Sequence, residues 1–414
     1  MTDPDKPLLP LSAFQQTMIG IAMVSMGAGM TINFVVVAPL ARKAGLAEIE
    51  VAGILTLSAG IYAMMIPVWG RIADRIGRKR VMIFSLLSMA LTNMAFVFAL
   101  ESALAGIVTG LSTFFLLAFV RLWFGLLAPG LQPAAMAAMT DATTPATRAG
   151  GLGMLGACIS IGSIIGPAGA TLLAPFGALM PIWGTIVFNM AAGCLLAFTL
   201  PPTRKRAKES KRPPPLAMRD PRVFPHLAFL FCYFIAIAMV QQTLGWFIED
   251  RFRFTDQPGR SAEEAGVLFT GIAFACLAFS MIVTQFGYVQ PRRPDPRKIL
   301  PVGLAFVSLG YIGADTFHPF WAMCISFLVV GTGAALAVPS ANALGSLSVS
   351  RAEQASAAAL LAAAPPAGFI FGPLIGAALY SIMPELPFYI SAVAIGGLAV
   401  YAFMVTSKRP LSPS

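Results

Sequence analysis

The sequence predicts an all-α integral membrane protein: twelve transmembrane helices in two pseudo-symmetric six-helix bundles. Three observations carry this prediction. Of 414 residues, 57% are hydrophobic and only 11% charged, with a mean hydropathy of +0.79. A soluble chain of that length needs far more polar surface. Apolar runs punctuated by Gly, Pro and charge give twelve segments that can cross a hydrocarbon layer about 30 Å thick. Finally, the two halves repeat. At one ungapped shift of 206 residues, Gly125, Pro133, Gly162, Gly166 and Pro167 fall on Gly331, Pro339, Gly368, Gly372 and Pro373. Parallel repeats of this kind suit a site lying between two halves that rock.

Taken in order, the first-half crossings fall near residues 15–39, 49–69, 81–100, 114–138, 149–174 and 178–200. Those of the second half fall near 225–248, 264–288, 299–314, 320–344, 355–381 and 387–406. Residues 101–113 are ambiguous between a long third helix, a loop and an early fourth helix. Met1 to Pro10 is polar, and the apolar run after it is too long for a cleavable signal segment, so the first helix is expected to remain. Residues 201–224, with TRKRAKESKRPPP followed by MRDPR, cannot bury a core and read as a basic cytoplasmic linker. The expected domains are therefore 1–200, an N-terminal six-helix bundle, and 225–414, a C-terminal one.

Charge supplies the orientation. The net charge of +10 would suggest nucleic acid in a soluble chain, but most of the 28 Lys and Arg fall in loops on one side of the membrane. That asymmetry marks the cytoplasmic face and places both termini there. The five cysteines are isolated within apolar runs without CxxC spacing, and His226 and His318 lie near opposite faces. No metal or cofactor is expected. HExxH and GxSxG are absent as well, so an enzyme is not expected.

The most informative loop is GRIADRIGRKR, Gly70 to Arg80, between the second and third crossings. Positive-inside anchoring explains its five basic residues but not the spacing of Gly70, Asp74 and Gly77. Every fixed position of GxxxDxxGRKxx is matched, by Gly70, Asp74, Gly77, Arg78 and Lys79. The loop resembles the signature between helices 2 and 3 of the major facilitator superfamily. The resemblance implies a twelve-helix secondary transporter in which this loop helps latch the cytoplasmic side in the outward-open state. It also implies a cytoplasmic charge cluster of Asp74, Arg78 and Asp141, with Arg148 opening the fifth crossing beside it. The corresponding second-half loop, Arg292 to Lys298, stays basic but lacks the Gly and Asp spacing, so the latch is expected to be one-sided.

The fifth crossing carries Gly153, Gly162, Gly166, Pro167 and Gly169. Small residues allow close helix contact, and an intramembrane proline allows a bend. The run resembles the superfamily's antiporter motif, GxxxxxxxxGxxxGPxxGG, which implies export. Ala170 and Thr171 replace its final glycine pair, and generic tight packing is the competing reading. Gly372 and Pro373 repeat the bend in the eleventh crossing.

Arg121 is the one formal charge placed well inside the bilayer, roughly 10 Å from the outer face if its helix starts near Phe114. It must face a cavity or a polar partner. It matches the Arg of the superfamily's RxxxG motif, with Gly125 after it; the alternatives are substrate-anion binding or proton coupling, and a structural arginine. The first crossing has no Asp or Glu, and Asn33 is its polar group. Asparagine exchanges no proton, and a cavity with an arginine and no acid favours an anionic or zwitterionic substrate. Glu101, Glu249 and Asp250 could reach inward from the outer ends of their helices. In the seventh crossing Gln241 and Gln242 point about 100° apart, with Trp246 as an aromatic wall or a membrane-interface anchor.

The expected function is thus secondary active transport by alternating access: proton-coupled export of a small organic compound or drug by a monomer in a cell membrane, a bacterial inner membrane. Expected partners are a small-molecule substrate, H+ and the lipid bilayer, with no nucleic acid. A uniporter, an organic-anion importer and a transporter-like receptor remain alternatives.

Overall fold

The computed structural model describes residues 11–144, 147–202, 217–254, 261–350 and 353–407, and every regular element among them is helical. The first ten α-helices run to Arg292. They are α1 (Ala13–Lys43), α2 (Glu48–Ile76), α3 (Arg78–Leu104), α4 (Leu111–Leu127), α5 (Leu131–Ala142), α6 (Arg148–Leu173), α7 (Met180–Thr199), α8 (Phe224–Phe252), α9 (Ala262–Thr284) and α10 (Gln290–Arg292). Then come α11 (Pro296–Thr316), α12 (Phe320–Leu347), α13 (Gln354–Leu361), α14 (Ala364–Tyr380) and α15 (Leu386–Ser407). Among the described residues eleven helical spans are long and apolar enough to cross a membrane. The shorter apolar helix α14, 17 residues long, reaches the lower limit for a crossing and completes the twelve.

Local chemistry explains the boundaries. Ser12 and Gln15 form a reciprocal capping box that starts α1: the Gln15 amide donates to Ser12 Oγ (3.2 Å) and the Ser12 amide to Gln15 Oε1 (3.0 Å). Gly77 ends α2 at φ 102°, a conformation that admits glycine readily and few other residues. The ambiguous stretch resolves as α3 running to Leu104, a turn with Gly106 and Gly110 at positive φ, and α4 starting at Leu111. The eleventh crossing, expected as one helix, is broken between α13 and α14. Pro365 and Pro366 lie in the first turn of α14, where their missing N–H groups cost least, and they cannot extend α13 across the break. The eighth crossing ends in a π-helical turn, Gln285–Val289.

The chain forms two compact units: residues 1–210 with 248–271, and 211–247 with 272–414. The expected bundles differ from these in the C-terminal end of α8 and the start of α9, which group with the first unit. Two contacts account for this. Arg42 pairs with Asp250 at 2.6 Å, and a Cβ on Gly271 would stand 2.5 Å from Thr171 Oγ1.

Each unit is built round its own first helix, and the spans α1 and α8 are both 67% buried. In the first unit, a Cβ on Gly162 would lie 2.1 Å from the Val24 carbonyl oxygen, and one on Gly166 2.6 Å from that of Ala28. The second unit repeats the arrangement: Gly368 abuts Phe234 and Gly372 abuts Ala238, both on α8. Gly125 against Ser58 O (2.8 Å) and Gly331 against Leu277 O (2.0 Å) form a second matched pair. The sequence repeat is therefore a packing repeat, in which glycine admits backbone-to-backbone contact. Gly162→Ala should cost about 1–3 kcal/mol by overpacking. Gly153→Ala, on the same helix with nothing within 4 Å, should cost none. Thermal unfolding in detergent separates the two.

In the second unit, Arg222 clasps the segment before α13. Its Nη1 and Nη2 donate to the two Glu353 oxygens at 3.0 and 2.9 Å, while Nη2 also reaches Asp220 at 2.8 Å. Hydrogen bonds from Arg222 hold both carboxyls down at about 2, with Ser350 contributing at Glu353. A depressed carboxylate contributes stability above its ordinary value near 4, and the contribution disappears as pH falls towards the folded value. Protection from hydrogen exchange at 217–223, taken against the intrinsic exchange rate at each pH, should therefore stay unchanged from pH 7 to about 5 and fall between about pH 4 and 2. Arg222→Ala should remove that dependence.

Candidate functional site

The first unit brings Asn33 and Arg121 together. Because α4 begins at Leu111, Arg121 sits ten residues along it, about 15 Å deep rather than roughly 10 Å. Asn33 lies ten residues before Lys43, at the end of α1. Arg121 Nη2 donates to Asn33 Oδ1 at 2.7 Å, and Asn33 Nδ2 donates to the Gly29 carbonyl at 2.7 Å. The second bond keeps the amide oxygen turned towards the cation. The guanidinium carbon lies 3.9 Å from the centre of the Phe96 ring and 5.6 Å from that of Phe124. Ring faces attract a cation, most strongly where water is excluded, and Arg121 is only 3% exposed. Ser58 Oγ donates to the Arg121 carbonyl (3.0 Å), fixing α4 on α2.

No carboxylate joins this group among the described contacts, and Arg121 Nε is buried without a hydrogen-bond partner. Amide and aromatic rings therefore hold a permanent positive charge whose electrostatics remain only partly answered. Of the acids that sequence placed near the outer ends, Asp250 pairs with Arg42, which also meets Glu48 at 3.2 Å. Glu249 lies where a Gly266 Cβ would stand 3.0 Å from its Oε1, and Glu101 is exposed.

Gln241, Gln242 and Trp246 lie on α8 in the second unit. Gln242 is fully buried with neither end of its amide hydrogen-bonded, and half-buried Gln241 has an unpartnered Oε1. Buried amides in that condition are rare in folded proteins. Trp246 is fully buried with its ring 5.7 Å from that of Tyr380. It is a packed ring, and the interface-anchor alternative does not fit it. Two lesser polar positions are already engaged: Asn189 accepts from Ser25 Oγ (3.0 Å), and Asn342 donates to the Val338 carbonyl (3.0 Å).

At the basic end of the first unit, Arg78 is the hub. It is 3% exposed and lies 3.0 Å from Asp141 and 3.3 Å from Asp74. Gly70 of α2 faces Pro133 on α5, where a notional Cβ would stand 3.7 Å away in ordinary van der Waals contact, so the packing there does not demand glycine. Arg148 opens α6, but its side chain lies outside the described residues, as does residue range 203–216 of the linker. Lys79, matched in the loop but given no role by sequence, donates through Nζ to the Ala197 carbonyl (2.7 Å) and to that of Leu200. It thus caps the C-terminal carbonyls of α7, where a cation also complements the helix dipole. Sequence missed Phe96, Ser58 and Arg42 as members of these clusters. Phe124, one helical turn from Arg121, was the only member with a local signal.

Comparison with known proteins agrees with this architecture. The Major Facilitator Superfamily model matches residues 17–314 and 292–414. Multidrug resistance protein 1 of Bacillus subtilis (strain 168) is 26% identical over 346 residues, covering 81% of this chain and 82% of that protein. The class C tetracycline resistance protein of Escherichia coli is 26% identical over 351 residues, covering 79% of each. A crystal structure of a bacterial homolog of the human lysosomal transporter Spinster, inward-facing and occupied, superposes with a TM-score of 0.73 at 14% identity, covering 97% of this chain and 99% of that one. The chain belongs to the major facilitator superfamily.

Proposed function

We propose that this protein exports a small anionic or zwitterionic organic compound across a cell membrane, a bacterial inner membrane, in exchange for protons, by alternating access and with both termini cytoplasmic. Membership of the superfamily makes it a multi-pass transporter of small molecules rather than an enzyme. Its curated relatives include multidrug and tetracycline resistance proteins, which favours the outward direction. The observation that carries the substrate class is the Arg121 cation, held at 2.7 Å by Asn33 with no acid beside it among the described residues. Gln241 and Gln242 supply hydrogen-bonding capacity that their own unit leaves unused, and Trp246 packs one turn further along α8.

In this reading the Arg78, Asp74 and Asp141 cluster is the cytoplasmic latch, with Gly70, Gly77 and Arg148 shaping its surroundings. Gly162, Gly166 and Pro167, with Gly372 and Pro373, let the first and fifth helices of each unit stay in close contact. The Arg42 pair with Asp250 holds the end of α8 to the first unit, and Glu48 of α2 steadies Arg42 from the other side. One observation favours a second reading: the first crossing holds no Asp or Glu, and its polar group, Asn33, exchanges no proton. A uniporter needs no such acid.

Thermal stabilisation by ligand pools tests the substrate class. Organic anions or zwitterions should raise the unfolding temperature of the purified protein, and Arg121→Ala should lose the response. Stabilisation by lipophilic cations alone would contradict the proposal.

A further inference from the structure

The second-half loop of the repeat has lost the latch spacing and kept its charge. In the first half Arg78 is buried between two acids. Here Arg292 and Arg293 are exposed, and among the described residues neither has an acidic partner. The one nearby acid, Asp295, caps α11 by accepting from the Arg297 amide at 3.0 Å. Pro291, Pro294 and Pro296 restrict the backbone, and Arg293 is held at φ 43°, a conformation a non-glycine residue seldom adopts.

The helix leading into this loop presents an outward apolar strip. Phe279 (63% exposed), Val283 (52%) and Phe286 (51%) recur at helical spacing. The π-helical turn then carries Tyr288 outward as well, and the Arg292 guanidinium lies 5.2 Å from the centre of its ring. The surface therefore runs from exposed hydrocarbon, through an aromatic ring, to two cations without an acidic partner among the described residues. A soluble phosphate would engage only the cations. An anionic amphiphile engages the whole strip, and charge complementarity selects its headgroup.

We propose that the end of α9 binds an anionic phospholipid of the cytoplasmic leaflet. Arg292 and Arg293 hold the phosphate, and Phe279, Val283 and Phe286 lie along the acyl chain. The inference rests on the orientation given above, but its test reads bound lipid and is independent of transport.

Native mass spectrometry of the full chain, delipidated and then mixed with equal amounts of phosphatidylglycerol and phosphatidylcholine, tests it. The parent should retain phosphatidylglycerol preferentially. Arg292→Ala combined with Arg293→Ala should weaken that retention about 25-fold, at about fivefold per cation near an anionic surface. Arg204→Ala with Lys205→Ala removes the same charge from the linker and should leave retention unchanged. Equal retention of both lipids by the parent, undiminished retention by the loop variant, or an equal loss in the linker variant would each overturn the site. As a local check, brominated phosphatidylglycerol should quench a tryptophan placed by Tyr288→Trp more than brominated phosphatidylcholine does; equal quenching would also count against it.

Discussion

Asp141→Ala should be among the most damaging single substitutions in the first unit. It removes the closer acid from Arg78 and leaves a guanidinium that is 3% exposed with Asp74 at 3.3 Å as its remaining acidic neighbour. Breaking a buried ion pair by removing one partner costs about 3–5 kcal/mol, because the surviving charge stays desolvated. The Asp74 side is far more accessible, 38% exposed, so Asp74→Asn should cost no more than about 1 kcal/mol of stability. The two variants therefore separate scaffold from switch. Asp141→Ala should lower the unfolding temperature substantially, whereas Asp74→Asn should impair turnover while leaving substrate affinity and unfolding temperature close to the parent's. Equal unfolding temperatures for both would show that Arg78 relaxes into water once either acid is gone.

The second large effect concerns Arg121. Removing a charged hydrogen-bonding group from a bound anion costs about 1.5–3 kcal/mol, so Arg121→Ala should weaken binding of an anionic substrate by about 10- to 150-fold. Arg121→Lys keeps the charge but loses the planar fork and its stacking on Phe96, and it should fall between the two. A purely structural arginine would behave differently: both substitutions would lower the unfolding temperature, and affinity measured on the folded fraction would not change. Isothermal titration of the purified variants reads affinity apart from stability.

Much of the architecture was legible because it rests on features that a linear sequence displays. Apolar runs, the basic loop and five glycine and proline coincidences at one shift need no partner to be recognised. The break before α14 was also written in the sequence, as Pro365 and Pro366, but the apolar run across it concealed the interruption. The helix 3 to 4 boundary depended on Gly106 and Gly110 adopting positive φ, which composition does not announce.

The site was legible only by residue type. A buried arginine and a lone asparagine in apolar helices stand out, because each needs a partner. That they bond to each other depends on how α1 and α4 pack, and Phe96 joins them from a third helix with no periodic signal. Arg42 and Asp250 are 208 residues apart, and nothing in the local sequence of either predicts their pairing. Lys79 shows the converse: its position was matched, yet its work on the end of α7 became visible only in three dimensions.

Proton movement in proteoliposomes tests the central claim most directly. Lumenal pH is followed under an imposed proton gradient while organic anions, zwitterions and lipophilic cations are added in turn. The account predicts proton flux opposite to substrate on addition of an anion or zwitterion, lost in Arg121→Ala. Substrate movement without proton flux would replace exchange by uniport and leave Asn33 as its explanation. Saturable binding with no movement of substrate or proton would contradict transport by this chain.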